Sequence, residues 1–311
     1  MIAGSLLPLL TAIPYTRLYV YLGGEFVKES LDPKLDVQMS WWGMSGLAAA
    51  KGRSVEEQVE MIAEAGFDGI NGFIPAPQDE EKWRRLLESY DLSFSVNAYP
   101  KTAQDMDQFL TRAKEYGGIQ HINAQVLTPF LINEPAVQLL SSMDALSRHA
   151  GIPLFIETHR GTITQDLLRT VDYIKALQSL RLTIDLSHYV VAGELHTISD
   201  EAEQLIQTVL TRSAAFHARV SNGEQVQIDV GNNGEHPMLR HFERWWSSGM
   251  KNWQSKAGAG DVLPFVVELG PPSYAITTDE YDGRNHEISD RWEQSKFFMR
   301  TARRLWSEIG K

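Results

Sequence analysis

From Asp36 onward the chain repeats one unit eight times: a short apolar run, then a segment with helical spacing. The runs are residues 37–42, 67–73, 92–99, 119–126, 153–159, 182–187, 214–220 and 263–269. Each is short and rich in strand formers, as strands buried on both faces are. Helix signals lie between them. Ser54 with Glu57 three residues on reads as a capping box, and Thr102 and Ser199 as N-caps. Residues 134–149 carry Val137, Leu140, Met143 and Leu146 on one helical face. Further helices are expected over 164–177, 237–253 and 290–308. Alternating strands and helices imply a parallel sheet. Eight such units imply an α/β fold of the closed TIM-barrel type, a (β/α)8 barrel. An open doubly wound sheet would carry a glycine-rich first turn, and Gly43-Met-Ser-Gly46 is not one.

The 311 residues are too many for most single cores but ordinary for an α/β barrel, which commonly takes ~250 residues. No linker or change of composition divides them, so one domain is expected over 36–311 with an N-terminal extension over 1–35. Residues 1–13 are apolar but lack a basic flank and are too short to span a bilayer, which takes ~20 residues. They read as a decoration on the domain, and a soluble, cytoplasmic protein with no membrane partner is expected. Residues 15–21 could form a strand or hairpin arm. A net charge of −11 with no basic stripe argues against nucleic acid. Assembly as a homo-oligomer is left open. The absence of cysteine confines any metal site to oxygen and imidazole ligands.

Such ligands end four consecutive runs: Glu157, Asp185, His217 and Glu268. In a barrel these strand ends converge at the C-terminal mouth. Three carboxylates and an imidazole there would repel one another without a cation. The set suits one divalent metal ion, Mn2+ or Mg2+ first, with Co2+, Fe2+ and Zn2+ also compatible. The bland alternative is four unrelated polar strand ends, each paired with a nearby cation. His159, two residues beyond Glu157, and His188, three beyond Asp185, are candidates to bind a substrate hydroxyl or to hold a ligand carboxylate. Arg219 shares the inward face with His217 and could bind a substrate oxygen or neutralise Glu268. Asn71, Asn97 and Gln125 end earlier strands and would give a polar, uncharged wall for a polyol. Of Trp41 and Trp42, one is expected to face the mouth and stack on a sugar; Trp41 is assigned that role. The longest loops after strands, residues 221–236 and 270–289, are candidate substrate walls or lids, the second carrying Tyr274.

The segments Ile156-Glu-Thr-His-Arg-Gly-Thr162, Ile184-Asp-Leu-Ser-His188, Phe216-His-Ala-Arg219 and Val267-Glu268 resemble the xylose isomerase-like TIM-barrel superfamily. Within it they resemble the sugar phosphate isomerase/epimerase branch. The resemblance covers roughly residues 36–308. It implies that Glu157, Asp185, His217 and Glu268 hold the metal and that His188 and Arg219 line the substrate site. It further implies that Glu157 and Glu268 move the proton. Asn71 departs from the pattern, since these enzymes often carry a glutamate there. The chemistry expected is isomerisation or epimerisation of a ketose or related polyol through a metal-stabilised enediolate. Dehydration of a keto-cyclitol would use the same parts. A non-catalytic sugar-binding barrel is the alternative outside enzymology. Hydrolysis of DNA at abasic sites would need more histidines than the strand ends supply. No phosphate cradle is evident in the loops after the last two strands, which favours an unphosphorylated sugar.

Overall fold

The computed structural model describes residues 19–22, 25–28, 32–281 and 283–309. Residues 1–13 and 15–18 therefore lie outside the described residues. Strands β1 (Tyr19–Leu22) and β2 (Glu25–Lys28) pair antiparallel as a small two-stranded sheet. The barrel follows. Its strands are β3 (Lys34–Ser40), β4 (Gly69–Gly72), β5 (Ser93–Ala98), β6 (Ile122–Ala124), β7 (Leu154–Glu157), β8 (Leu182–Ile184), β9 (Ser213–Ala218) and β10 (Val262–Val267). Every adjacent pair is parallel, and β10 closes on β3. The (β/α)8 barrel expected from the alternation is the fold observed.

Among the described residues there are nine α-helices: α1 (Val55–Glu64), α2 (Glu80–Ser89), α3 (Ala103–Tyr116), α4 (Asn133–Ala150), α5 (Leu167–Ala176), α6 (Ser187–Ala192), α7 (Asp200–Leu210), α8 (Leu239–Gln254) and α9 (Arg291–Ile309). None is long and apolar enough to cross a membrane. Ser54 and Glu57 close a reciprocal capping box on α1, Thr102 and Asp105 do the same on α3, and Ser199 caps α7. Two boundaries differ from the sequence reading for local chemical reasons. Helix α5 starts at Leu167, capped by Asp166. The Thr164 hydroxyl is not free to cap, because it donates to the Glu157 carbonyl at 2.5 Å and so clamps the end of β7. After β8 the chain turns at once into the short α6. Asp185 Oδ1 accepts from the Ser187 amide at 2.9 Å and its hydroxyl at 2.6 Å, which fixes that turn.

Strand alternation divides the side chains. Outward residues such as Val37, Ile70, Val96, Ile156, Phe216 and Phe265 are buried with the helices in one apolar core. The barrel interior is different. TIM-barrel interiors are mostly branched aliphatics, yet β3 to β6 point Gln38, Ser95, Asn71, Asn97 and Asn123 inward, all buried. Burial of so many polar groups is tolerable only if they pair. They form a continuous ladder. Asp36 accepts from Gln38, Ser93 and Gln120; Ser95 bridges Gln38 and Asn71; Asn97 donates to Asn71, and Asn123 to Asn97. Gly69 makes room for the lower end. A Cβ there would lie 1.9 Å from Ser93 Oγ and 2.7 Å from the Ser93 carbonyl oxygen. Gly69→Ala should therefore cost ~1–3 kcal/mol, the usual range for overpacking. Urea denaturation would read it as a lower midpoint with unchanged slope; an unshifted midpoint would mean that the ladder tolerates displacement.

Candidate active site

The ladder ends at the C-terminal mouth, on Glu157. Asn123 and Gln125 both donate to its Oε2, at 2.5 and 3.0 Å. Its Oε1 is buried with no hydrogen-bond partner, 3.5 Å from His217 Nδ1. His217 Nδ1 also lies 3.1 Å from Glu268 Oε2. Glu157, His217 and Glu268 thus each offer one ligand atom within 4.8 Å of the others, all buried. A second, overlapping group joins Glu157 to His159 and His188.

Asp185 stands beside this triplet and is not a member of it. Its Oδ1 is spent on Ser187, and its Oδ2 is buried without a hydrogen bond. The fully buried Arg219 connects the two parts. Its Nη2 contacts Glu268 Oε2 at 2.5 Å, its Nε donates to the Glu268 carbonyl at 3.0 Å, and its Nη1 is 3.4 Å from Asp185 Oδ2. Alternation on β9 puts His217 and Arg219 inward and Ala218 in the outer core.

Electrostatics follow from this crowding. Burial disfavours charge on His217, but Glu268 and Glu157 outweigh it and push the imidazole up to about 10. Burial likewise opposes charge on Glu157, but the facing His217 outweighs it and holds the carboxyl at about 2. Asp185 is raised by burial, with Arg219 opposing and the neighbouring glutamates reinforcing. His188 is pushed well below the usual imidazole range by burial first, then by His159 and the Arg219 and Arg160 guanidiniums. It is neutral, wedged between Arg160 Nη1 at 3.1 Å and Arg219 Nη1 at 3.4 Å.

Above these groups is a cavity of about 160 Å³ lined by Trp42, Asn97, Tyr99, Gln125, His159, Arg219, Glu268 and Tyr274. Tyr274 comes from the loop after β10. Its ring lies 4.6 Å from the Arg219 guanidinium and 4.9 Å from that of Arg160, and its hydroxyl is 3.3 Å from His159 Nε2. Asn97, Gln125, His159 and Arg219 therefore line the cavity, while His188 is sealed beneath its wall. Asn71, Trp41 and His188, assigned to the substrate site, do not line this cavity. Asn71 points inward but pairs in register with Ser95, a layer below the Asn97–Asn123 pair, and its amide is closed off by Ser95 and Asn97. Trp41 packs edge-on against Trp83 of α2, and Trp42 faces the cavity instead. Tyr99, Asn123 and Arg160 join the site beyond the residues that the sequence pattern singles out. Tyr99 and Asn123 share a face with Asn97 and Gln125 by the period of two, a signal that was available. Arg160 follows His159 in a loop, where no periodicity applies.

The donor set can be tested against a cation. Glu157 Oε1, Asp185 Oδ2, His217 Nδ1 and His217 Nε2 are four buried polar atoms without hydrogen-bond partners. Native interiors seldom leave such atoms unpaired. Arg219 contacts two of the three carboxylates, Asp185 and Glu268, and His217 lies between Glu157 and Glu268. Oxygen and imidazole atoms of this kind fit a divalent ion.

No family model matches the chain, and no curated protein does. Solved structures do. A xylose isomerase-like TIM barrel protein from Mycobacterium smegmatis, in complex with magnesium, aligns with TM-score 0.56 and 16% identity over 88% of this chain and 97% of its own. D-allulose 3-epimerase from Methylomonas sp., in complex with D-allulose, gives 0.54 and 13% over 90% and 100%. A probable 3-DHS dehydratase from Bacillus anthracis gives 0.51 and 13% over 77% and 94%. At these identities the likeness is one of fold. The chain is a parallel eight-stranded barrel with an acidic cluster at its C-terminal mouth. Its fold is that of the xylose isomerase-like TIM barrels.

Proposed function

We propose that the protein is a divalent-metal-dependent enzyme that moves a proton beside the carbonyl of a ketose or related polyol, as an isomerase or epimerase. The observation that carries this is the buried Glu157–His217–Glu268 triplet with unpartnered ligand atoms beneath a small polar cavity. Glu157, His217 and Glu268, with Asp185 Oδ2 as the fourth donor, would hold the ion. When bound, a divalent ion supplies Lewis acidity that polarises a carbonyl and lowers the cost of removing the neighbouring proton.

The chain's own residues supply the rest. Glu157 is anchored through Oε2 by two amides, which leaves Oε1 as the oxygen open to the ion and the substrate. Glu268 is anchored from the other side by Arg219. The two carboxylates come from strands three steps apart around the ring. They suit removal of a proton from one face of the sugar and its return to the other. Asn97, Gln125 and His159 offer hydrogen bonds to hydroxyls, and Tyr274 covers the site against water. A second reading, loss of water from a keto-cyclitol, draws on the His159–Tyr274 pair, which could protonate a departing hydroxyl.

The test begins with chelator-stripped protein reloaded with Mn2+ or Mg2+. About one ion per chain is expected, and Asp185→Ala should fail to retain it while keeping its circular dichroism spectrum. The loaded enzyme is then incubated with ketoses and inososes in D2O. Metal-dependent deuterium uptake beside the carbonyl supports proton transfer, and a product lighter by one water supports the dehydratase. Full metal occupancy in Asp185→Ala counts against the ligand set. Absence of exchange with every compound counts against the enzyme.

A further inference from the structure

The cavity over the carboxylates has a larger neighbour. A cleft of about 870 Å³ also has Trp42 in its wall and is lined further by Trp41, Ala48, Lys51, Arg53, Gln58 and Phe73. The two adjoin a second time where Phe73 of the outer wall meets Tyr99 of the inner one, ring centroids 6.4 Å apart. The inner cavity, at about 160 Å³, is below the ~300–1,000 Å³ of common small-molecule pockets, and the outer one lies within that range. Phe73 is 42% exposed, so its ring is held at the mouth without being needed in the core. Trp42 is braced in the shared wall by Gly270: a Cβ on that glycine would sit 2.1 Å from the indole.

We propose that the ligand is a glycosylated ketose, with its ketose unit in the inner cavity and a second sugar ring in the outer cleft. This rests on the proton-transfer reading of the inner cavity. The outer wall combines three aromatic side chains with the polar side chains of Lys51, Arg53 and Gln58, of which Arg53 Nε and Gln58 Nε2 already donate to the Ala49 and Arg53 carbonyls. That mixture suits a ring with apolar C–H faces and a hydroxylated edge. The chemistry of the inner site also fixes where the second ring attaches. Linkage through the carbonyl carbon would lock it as an acetal and forbid proton removal beside it. The second ring must therefore be joined to a hydroxyl remote from the carbonyl, which leaves the ketose end free.

The experiment compares D-fructose with palatinose, in which a glucose ring is joined to the far end of fructose. Binding to metal-loaded protein is measured by calorimetry and exchange by deuterium uptake. Palatinose should bind at least ~10-fold more tightly than fructose, the order expected for one well-seated ring. Phe73→Ala, and Ala48→Trp, which fills the exposed side of the cleft, should each remove most of that difference. Ala48→Trp should change fructose affinity by no more than about twofold, as Ala48 does not line the inner cavity, and Phe73→Ala, whose ring meets Tyr99 of the inner wall, should cost palatinose more affinity than fructose. Phe73→Leu, which keeps bulk without a flat face, serves if the alanine variant misfolds. Equal affinities for the two sugars in the wild type, or equal losses for both in the variants, would overturn the outer subsite. Fructose exchange would then still uphold the inner reading. Failure of both sugars to bind would remove that inner reading, and this one with it.

Discussion

Glu157→Gln and Glu268→Gln should each lower turnover by at least ~100-fold, the low end for loss of a general acid or base. The substitution removes the carboxylate proposed to accept the proton and leaves one side-chain oxygen, so each variant should keep some metal. Their surroundings distinguish them. Glu157 receives two amide donors on Oε2, and a glutamine there would point either its oxygen or its NH2 at Asn123 and Gln125. With the oxygen toward those amides, its NH2 occupies the position of Oε1 and meets His217. Glu268 is gripped by Arg219, and glutamine retains one acceptor for that guanidinium. Glu268→Gln should therefore hold the ion more nearly as the wild type does. If each carboxylate serves one face of the sugar, a variant can still exchange the proton of the intact face without completing epimerisation. Solvent deuterium in recovered substrate and in product reports the two faces separately. Turnover within about tenfold of wild type in either metal-loaded variant would exclude the two-glutamate mechanism.

The barrel was legible because its signals are local and repeated. Ser54, Thr102 and Ser199 cap helices as their residue types require, and eight buried strands show as apolar runs. The acidic cluster was legible for a related reason: an apolar run that ends on a carboxylate leaves that carboxylate at the barrel's mouth. The layer beneath it was harder to see. Asn71, Asn97 and Gln125 were read as one rim, but neighbouring strands are staggered, and stagger is a property of pairing that no single strand records. Asn71 consequently falls a layer low. Trp41 and Trp42 were exchanged because β3 ends at Ser40 and Trp41 already has helical backbone angles, so strand alternation no longer decides which ring turns inward. Tyr274 could be assigned to a candidate wall, but its place over Arg219 depends on how a non-periodic loop folds.

Arg219→Met should destabilise the metal-free protein by ~3–5 kcal/mol, the usual cost of removing one partner from a buried ion pair. Arg219 is 1% exposed and contacts Glu268 and Asp185, so its loss leaves two buried carboxylates without their guanidinium. Only the His217 imidazolium then remains in contact with the Glu157 and Glu268 carboxylates. Arg219→Lys should recover only part of the loss, because one ammonium cannot reproduce the contacts to the Glu268 carboxylate, its backbone carbonyl and Asp185 together. The same argument gives the response to metal. A divalent ion binding beside Glu268 meets repulsion from Arg219 in the wild type and none in Arg219→Met, so the variant should bind the ion more tightly. Binding to the folded state adds ~2.7 kcal/mol at a concentration a hundredfold above Kd. The gain at a fixed ion concentration should thus be larger in the variant than in the wild type. Urea denaturation of both proteins, with chelator and with Mn2+, measures the four stabilities needed. A loss below ~1 kcal/mol in chelator would mean that Asp185 and Glu268 do not depend on the guanidinium. An equal gain from Mn2+ in both proteins would place the ion away from Arg219, and so away from Glu268.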